Sequence, residues 1–340
     1  MIMTSSIQQL ENLTCGVVLY YHNQSQNSVG TFCARGADLE GMPLTVDTPL
    51  RIASNTKTFT AATILRLAEM GKLSIYDAIS EYIDPQYNAL LSTQYNTHTI
   101  TIRHLLEHSS GLLDHADGDY LKAVLKQPNY VWSRTEQVEM YMRKQFPTFS
   151  PSKSFIYSDT GYILLGDIIE RITGQSLGLA VRELLHFDSI GLESAYWESL
   201  EQPPEIATPR ARQYLGKWDG THIHASMDAY GGGGLVMSSK QMAIFLEALF
   251  EGNIFSSPNT LETMLSMGSH DGAENYRLGI MVNVVNGITL YSHLGFWGSV
   301  AYYAPKAKIS VAGFVDDRES RETLIHVIES LLSQQHEMKR

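Results

Sequence analysis

Ser54 and Lys57 stand three residues apart at the start of an apolar stretch, over about 54–70, that we predict to be a helix. Residues three apart on a helix lie on one face, so this spacing keeps an amine beside a hydroxyl. A serine hydroxyl is a poor nucleophile at neutral pH and needs a base within hydrogen-bond reach. The pair therefore indicates nucleophilic catalysis. The alternative, a helix-capping serine beside a solvated lysine, stays open because so short a motif is common.

A second segment that could take part in catalysis is Tyr157-Ser158-Asp159. A tyrosine packed against a serine–lysine pair can relay a proton to a leaving group. The alternative is an ordinary turn in which Ser158 or Asp159 caps a helix predicted over 161–172. Both interpretations can hold together, because a helix-capping loop is a rigid mount for a catalytic side chain.

The third segment is His293-Leu294-Gly295, which is followed by Phe296 at the end of a predicted strand. A strand end can offer a backbone N–H to a developing oxyanion, and a glycine lets a substrate approach closely. A strand-terminal turn with a surface histidine is the alternative.

These three motifs, in this order, resemble those of the penicillin-recognising serine hydrolases. That family includes class C β-lactamases, D-alanyl-D-alanine peptidases and their esterase and D-aminopeptidase relatives. The resemblance also covers 102–112, 157–166 and 231–250, and it runs from about residue 15 to the C-terminus. It implies hydrolysis of a small ester, a D-amino-acid peptide or a related amide through an acyl-enzyme. It implies no metal and no organic cofactor.

The resemblance also assigns roles to single residues. Ser54 is expected to be the acylated nucleophile, Lys57 its base partner, and Tyr157 the group that passes a proton to the leaving group. The oxyanion hole is expected to be the backbone N–H groups of Ser54 and Phe296. The residues expected to contact the substrate are Asp159, His293 and Gly295.

Two departures from the family pattern bear on the chemistry. Asp159 stands where the family most often has asparagine, and a carboxylate there tethers Lys57 and favours its protonated form. That shifts weight to Tyr157 as the base. His293 stands where the family often has lysine, so a titrating charge replaces a permanent one. Both departures favour an esterase or peptidase over an efficient β-lactamase. The alternative is a β-lactamase, or a penicillin-binding sensor or scaffold protein with little turnover.

The composition of the chain limits its partners and its location. The 340 residues carry a net charge of −11, from 25 basic and 36 acidic residues, and show no basic run. Nucleic acid is therefore not an expected partner. No segment approaches the roughly 18 apolar residues of a membrane span. The N-terminus lacks a basic start and an apolar core, which predicts a cytoplasmic protein. A chain that had lost its leader would be periplasmic or secreted. Cys15 and Cys33 are predicted to be buried free thiols.

Several other side chains have open interpretations. His104 and His108 have the spacing of metal ligands on a helix, but no third ligand is evident, so a metal site is not predicted. Arg277 and Asp228 are either cleft charges or solvated groups. Four aromatic residues either line a cleft or belong to the core: Trp132, Trp218, Trp297 and Tyr230.

The elements that must position these residues lie at both chain ends. Strands are predicted over 14–21, 28–35, 276–285, 288–293, 299–304 and 309–315. Helices are predicted over 102–107, 135–144, 239–250 and 319–335, besides the two named above. This order predicts an α+β fold of the β-lactamase/transpeptidase type, with one antiparallel sheet built from both termini and flanked by helices. We expect 1–73 and 231–340 to form the sheet domain, 74–230 to form a mainly helical domain, and the cleft to lie between them.

Overall fold

The computed structural model describes residues 3–143 and 149–337. Its strands are β1 (Val17–Asn23), β2 (Ser28–Ala34), β3 (Pro49–Arg51), β4 (Tyr196–Trp197), β5 (Tyr214–Leu215), β6 (Trp218–Asp219), β7 (Leu235–Ser238), β8 (Met281–Val285), β9 (Ile288–Leu294), β10 (Ser299–Ala304) and β11 (Ile309–Val315). Its helices are α1 (Met3–Glu11), α2 (Thr56–Glu69), α3 (Pro85–Leu91), α4 (Ile102–Leu106), α5 (Gly118–Lys126), α6 (Arg134–Met142), α7 (Asp159–Thr173), α8 (Leu177–Leu184), α9 (Ser239–Phe250), α10 (Pro258–Met264) and α11 (Arg321–Glu337).

The main sheet joins the two ends of the chain. Its strand order is β2-β1-β11-β10-β9-β8, and all neighbouring pairs are antiparallel. Strand β1 pairs with β11 in a register that sets Val17 opposite Val315. The predicted antiparallel sheet built from both termini is thus confirmed.

Helices cover both faces of this sheet, because alternate side chains along each strand point to opposite faces. Val18 and Tyr20 of β1 face a core that includes Phe245 of α9. Val17 and Leu19 face a second core that α1 and α11 complete. The sheet is therefore covered on both sides, and β10 and β11 are buried along their whole length rather than at alternate residues.

Helix α2 carries the Ser–Lys motif and lies inside the molecule. Most of its side chains are buried, and it packs against α7, α8 and α10. Strand β3 leads into α2 and pairs with β7, which follows the glycine run 231–234. This pairing brings the glycine run next to the first turn of α2. The central stretch 74–230 holds α3 to α8 and the short strands β4 to β6, and its division from the rest as a separate domain stays a prediction.

Some sequence predictions about the elements were wrong. The strand predicted over 276–285 begins only at Met281, because the chain first forms a tight helical turn at Ala273–Asn275 and a left-handed bend at Gly279 (φ 78°). Helix α6 ends at Met142, and residue 144 of its predicted range lies outside the described residues. Helix α1 was not predicted.

The two cysteines are free, as predicted, but they are not buried. Cys33 is exposed on the edge strand β2, and Cys15 is half-buried just before β1. The error has a simple origin, since β2 is an edge strand and one of its faces meets solvent.

Candidate active site

Ser54 and Lys57 meet where β3 passes into α2. Ser54 lies in a single tight turn, Ala53–Asn55, and is partly exposed to a cleft. Lys57 is fully buried in the first turn of α2, and its Nζ donates to Ser54 Oγ at 3.0 Å. Ala53 adopts a left-handed conformation (φ 46°), which is strained for a residue with a side chain. Such strain next to a candidate nucleophile is common at functional sites.

The ammonium group of Lys57 has all three of its donors engaged. Besides Ser54, it donates to the backbone oxygen of Gly232 at 2.9 Å and forms an ion pair with Asp159. Burial is the largest single influence and lowers the pKa of Lys57. The charges of Asp159, Tyr157 and Asp228, with the hydrogen bond to Asp159, together outweigh burial, and the pKa is raised. The same pair lowers the pKa of Asp159 despite its own burial. Lys57 is therefore an ammonium in the free protein, as the aspartate in the second motif led us to expect.

Tyr157 comes from the residue before the N-cap of α7. Ser158 caps this helix by accepting from the N–H of Gly161 at 3.2 Å, so the capping interpretation of this segment is confirmed. The phenol ring lies 4.9 Å from Lys57 Nζ, measured to the ring centroid. Burial raises the pKa of Tyr157 to about 12, although Lys57 and Ser54 oppose that rise. The hydroxyl, phenol and ammonium groups thus meet in one place, with a neutral phenol.

Two backbone N–H groups beside the serine are available to an oxyanion. In the described part of the chain, neither Ser54 N–H nor Phe296 N–H donates to a protein acceptor. Both residues line the cleft. Unpaired backbone donors beside a nucleophile are what the oxyanion of a tetrahedral intermediate requires.

The close approach of two chain segments sets the position of Phe296. Gly295 lies directly against Ile52, and a Cβ at Gly295 would overlap the Ile52 carbonyl oxygen and Ser299 Oγ. The side chain of Asn55 is hydrogen-bonded to Ser299 Oγ at 2.9 Å. Gly295 does not line the cleft, so its predicted contact with substrate is corrected: it lets the strand end come close to the serine.

The prediction for His293 also needs correction. Its imidazole is buried behind the cleft wall, where Nε2 lies 3.0 Å from the hydroxyl of Tyr276. Burial, with Lys57 nearby, lowers the pKa of His293 to about 3. The ring is therefore neutral and cannot supply the titrating charge that the sequence suggested. The end of β9 turns this side chain toward the core rather than toward the substrate.

His108 packs against Tyr157 and holds the segment that carries it. Its Nδ1 accepts from the N–H of Ser158 at 3.1 Å, and its ring lies 4.3 Å from the ring of Tyr157. Burial holds its pKa well below the usual range. His104 instead closes a capping box with Thr101 at the start of α4. Among the described residues no group of three His, Cys, Asp or Glu side chains is placed to hold a metal ion.

The cleft has a volume of about 410 Å³ and carries an unusual set of charges. Asp114, Asp159 and Asp228 all line it, with Lys57 buried at its base. Burial and the charge of Asp159 raise the pKa of Asp114 to about 7 and that of Asp228 to about 7. One oxygen of Asp114 accepts from the backbone N–H groups of Ala116 and Asp159.

The other candidates divide between core and cleft. Trp297 is buried against Ala53 and Trp132, whereas Trp218 is exposed. The Arg277 side chain donates to nearby backbone oxygens and does not line the cleft. Sequence reasoning left the role of Asp228 open and missed Asp114 and Arg318 as cleft residues. The only available signal was that Asp114 lies in a loop of the kind that sets selectivity.

This fold and this site together define a serine hydrolase with the β-lactamase/transpeptidase-type fold. The chain belongs to the Beta-lactamase family, whose model matches residues 8–330. Among the described residues, no helix combines the length and apolar character needed to cross a membrane.

Several known proteins are similar to this chain in sequence or in structure. A protein of Escherichia coli O157:H7, provisionally named D-alanyl-D-alanine carboxypeptidase, is 26% identical over 309 residues, covering 79% of this chain and 70% of that protein. The structure of a D-stereospecific amidohydrolase from Streptomyces sp. has a TM-score of 0.78 at 23% identity, covering 97% of each chain. The D-amino acid amidase from Ochrobactrum anthropi SV3 has a TM-score of 0.81 at 20% identity, covering 100% of this chain and 99% of that one. The structural matches show a shared fold.

Proposed function

We propose that this protein hydrolyses the amide bond of D-amino-acid amides and short D-amino-acid peptides through an acyl-enzyme on Ser54. The observation that carries the proposal is the convergence of Ser54, Lys57 and Tyr157 beside two unpaired backbone N–H groups. The preference for D-amino-acid substrates draws on the activities named for the relatives above.

The chemical steps follow from the charge states. Lys57 is an ammonium and Tyr157 is a neutral phenol in the free protein, so Tyr157 can take up the proton of Ser54 only if it passes its own proton on. Ser54 Oγ attacks the carbonyl carbon while its proton passes to the Tyr157 oxygen and the phenol gives its own proton to the substrate nitrogen, so Tyr157 stays neutral and Lys57 stays an ammonium. The N–H groups of Ser54 and Phe296 hold the oxyanion. The bond between the carbonyl carbon and the protonated nitrogen then breaks, the amine leaves, and water hydrolyses the ester on Ser54.

The acidic cleft supports a substrate with a free amino group. Four aspartates line a space whose base holds the buried ammonium of Lys57 and whose wall also carries two arginines: Asp114, Asp117, Asp159 and Asp228, with Arg318 and Arg321. The side-chain carboxyl of Asp228 accepts no hydrogen bond from another described residue. Only Oδ1 of Asp114 accepts hydrogen bonds, and its second carboxyl oxygen accepts none from the described residues. A substrate ammonium placed there would complete the charge balance. The neutral His293 supplies no positive charge to the carboxylate of a β-lactam.

The test is a substrate panel assayed with wild type, Ser54→Ala and, as a matched control, the exposed Ser189→Ala. The panel holds D-amino-acid amides, their N-acetyl and L counterparts, p-nitrophenyl esters and nitrocefin. We expect the D-amides with free amines to be cleaved fastest, and Ser54→Ala alone to lose all activity. Intact mass spectrometry should show an acyl adduct on wild type only. A Ser54→Ala protein as active as wild type would overturn the proposal. Turnover of nitrocefin with none of the amides would favour the β-lactamase alternative.

The cytoplasmic location stays a prediction of the sequence. We propose a small amide or peptide as the partner of the cleft, in keeping with its volume of about 410 Å³.

A further inference from the structure

Gln137 carries a buried amide oxygen that no donor reaches. This glutamine is fully buried and lines the cleft from α6. Its Nε2 donates to the hydroxyl of Tyr120 at 3.0 Å and to the backbone oxygens of Ser226 at 3.0 Å and Met227 at 3.2 Å. Among the described residues, no group donates to its Oε1. Because a buried acceptor without a donor costs free energy, this oxygen needs an explanation.

The orientation of this amide is fixed by its surroundings. If the amide were turned over, its oxygen would face the backbone oxygens of Ser226 and Met227, which are acceptors themselves. The hydroxyl of Tyr120 donates to the backbone oxygen of Met227 at 2.8 Å, so it has no further proton for Gln137. A donor for the amide oxygen therefore has to come from the cleft.

Asp228 is a second acceptor without a donor in the same part of the cleft. It follows Met227, whose backbone oxygen binds Gln137, and it also lines the cleft. Its carboxyl accepts no hydrogen bond from another described residue and lies against Gly233, where a Cβ would overlap Oδ2. Arg51, whose charge acts on this carboxyl, is itself bound to a glutamate. Two neighbouring acceptors, one of which can carry a negative charge, indicate a ligand group with several N–H donors and a positive charge.

Apolar side chains share the cleft with these acceptors. Ile163 and Met227 line it, and α6 packs against α7. On α7, Ile163 lies one helical turn, about 6 Å, beyond Asp159, the residue that pairs with Lys57. A ligand that reaches from Ser54 to the acceptors therefore needs apolar carbon along this stretch and a charged end. Lysine side chains have this form, since a flexible stem of four carbons ends in an ammonium.

We propose that Gln137 Oε1 and Asp228 bind the side-chain ammonium of a basic D-amino acid, so that the preferred acyl group is D-lysyl or D-ornithyl. An ammonium supplies three N–H donors and no acceptor, which matches a site that holds only acceptors. A hydroxyl brings one donor and leaves its own oxygen to be satisfied. The α-amino group of the substrate stays at Asp114. The inference rests on the proposed function and adds the identity of the acyl side chain.

The experiment compares D-lysine amide with the amide of D-2-aminoheptanoic acid, in which a methyl group replaces the side-chain ammonium. The readout is the ratio of kcat/KM for the lysine amide to kcat/KM for the methyl analogue. We expect a ratio of about 10 or more for wild type, because only the lysine substrate makes hydrogen bonds from a charged group. Gln137→Leu should lower this ratio by about 10-fold, mainly through KM. Asp228→Asn, which removes the charge and keeps the shape, should lower it as well.

The matched control is Gln86→Leu, which changes an exposed glutamine on α3 and should keep the wild-type ratio. The ratio also cancels any general damage from the loss of the Gln137 contact with Tyr120, because both substrates meet the same altered cleft.

The outcomes separate the two proposals. Wild type that cleaves D-amino-acid amides but does not prefer the lysine amide overturns the inference and leaves the proposed function intact. A Gln137→Leu ratio equal to that of wild type overturns the role of Gln137. Wild type that cleaves no D-amino-acid amide overturns the proposed function and this inference with it. If Gln137→Leu does not fold, as judged by its melting curve, Asp228→Asn decides: a ratio equal to that of wild type rejects the ammonium site.

Discussion

Nζ of Lys57 lies 3.0 Å from Oγ of Ser54, yet this lysine is held as an ammonium. The geometry is that of a nucleophile and its base, but the charge state is that of a hydrogen-bond donor. Asp159 accounts for the difference, because its carboxylate closes the other side of the same ammonium. The path of the proton from Ser54 therefore depends on a residue that does not touch the serine.

Asp159→Asn should shift the pH dependence of catalysis. The carboxylate raises the pKa of both Lys57 and Tyr157, so its removal lowers the pKa of whichever group accepts the proton. We expect the acidic limb of the kcat/KM profile to move to lower pH by about one unit or more, where one unit corresponds to about 1.4 kcal/mol. The exposed Asp119→Asn is the control. An acidic limb with the wild-type midpoint would contradict the role given to Asp159.

Tyr157→Phe should lower kcat with little change in KM. The phenol is neutral in the free protein, with a pKa of about 12, so it serves as a proton relay rather than as a standing phenolate. Removal of such a relay costs about 10²–10⁴ in rate. Steady-state kinetics on a D-amino-acid amide measures this, with the exposed Tyr76→Phe as control. A kcat within a factor of about three of wild type would show that the proton takes another route.

Asp228→Asn should change how stability depends on pH. Burial and the charge of Asp159 raise the pKa of Asp228 from 3.8 to about 7. Between those values the folded protein holds a proton that the unfolded chain releases, so the contribution to stability is present at low pH and is lost as pH rises through about 7. We therefore expect the Tm of the variant, relative to wild type, to rise between pH 5 and pH 8. For a chain of this size, each kcal/mol of unfolding free energy shifts Tm by about 2 °C.

The control for that measurement is Asp47→Asn, which removes an exposed carboxylate. A Tm difference between Asp228→Asn and wild type that is flat across this range would show that Asp228 is ionised throughout. The raised pKa also predicts that KM for a substrate with a free ammonium falls as pH passes 7, because the ionised wall attracts it.

Gly295→Ala should impair catalysis through the backbone. The new Cβ would overlap the Ile52 carbonyl oxygen and Ser299 Oγ, so the strand end must move away from the serine and take the Phe296 N–H with it. Loss of one oxyanion donor costs about 10²–10³ in kcat. The control is Gly30→Ala on β2, where the added Cβ would make only ordinary van der Waals contacts with Tyr21. If Gly295→Ala keeps its kcat, the oxyanion lies elsewhere.

The prediction of the elements succeeded where the pattern is local. Strands β10 and β11 and helix α9 have the predicted bounds, because each is a short apolar run between clear turn or cap signals. The strand predicted over 276–285 was wrong because its first half owes its shape to packing: Gly279 lies against the backbone of Lys57 and the side chain of Ala61, which belong to α2. This contact joins residues that are far apart in the sequence, so no local pattern predicts it.

The order and spacing of Ser54, Lys57 and Tyr157 predict the reacting groups. Their residue types allow little other chemistry, and one helix turn brings Ser54 and Lys57 together. The charge states and orientations of the surrounding side chains cannot be predicted from that order and spacing. His293 points into the core and Asp159 holds Lys57 charged only because distant segments pack together. Burial and charge act through space rather than along the chain, so substrate preference emerged only with the folded arrangement.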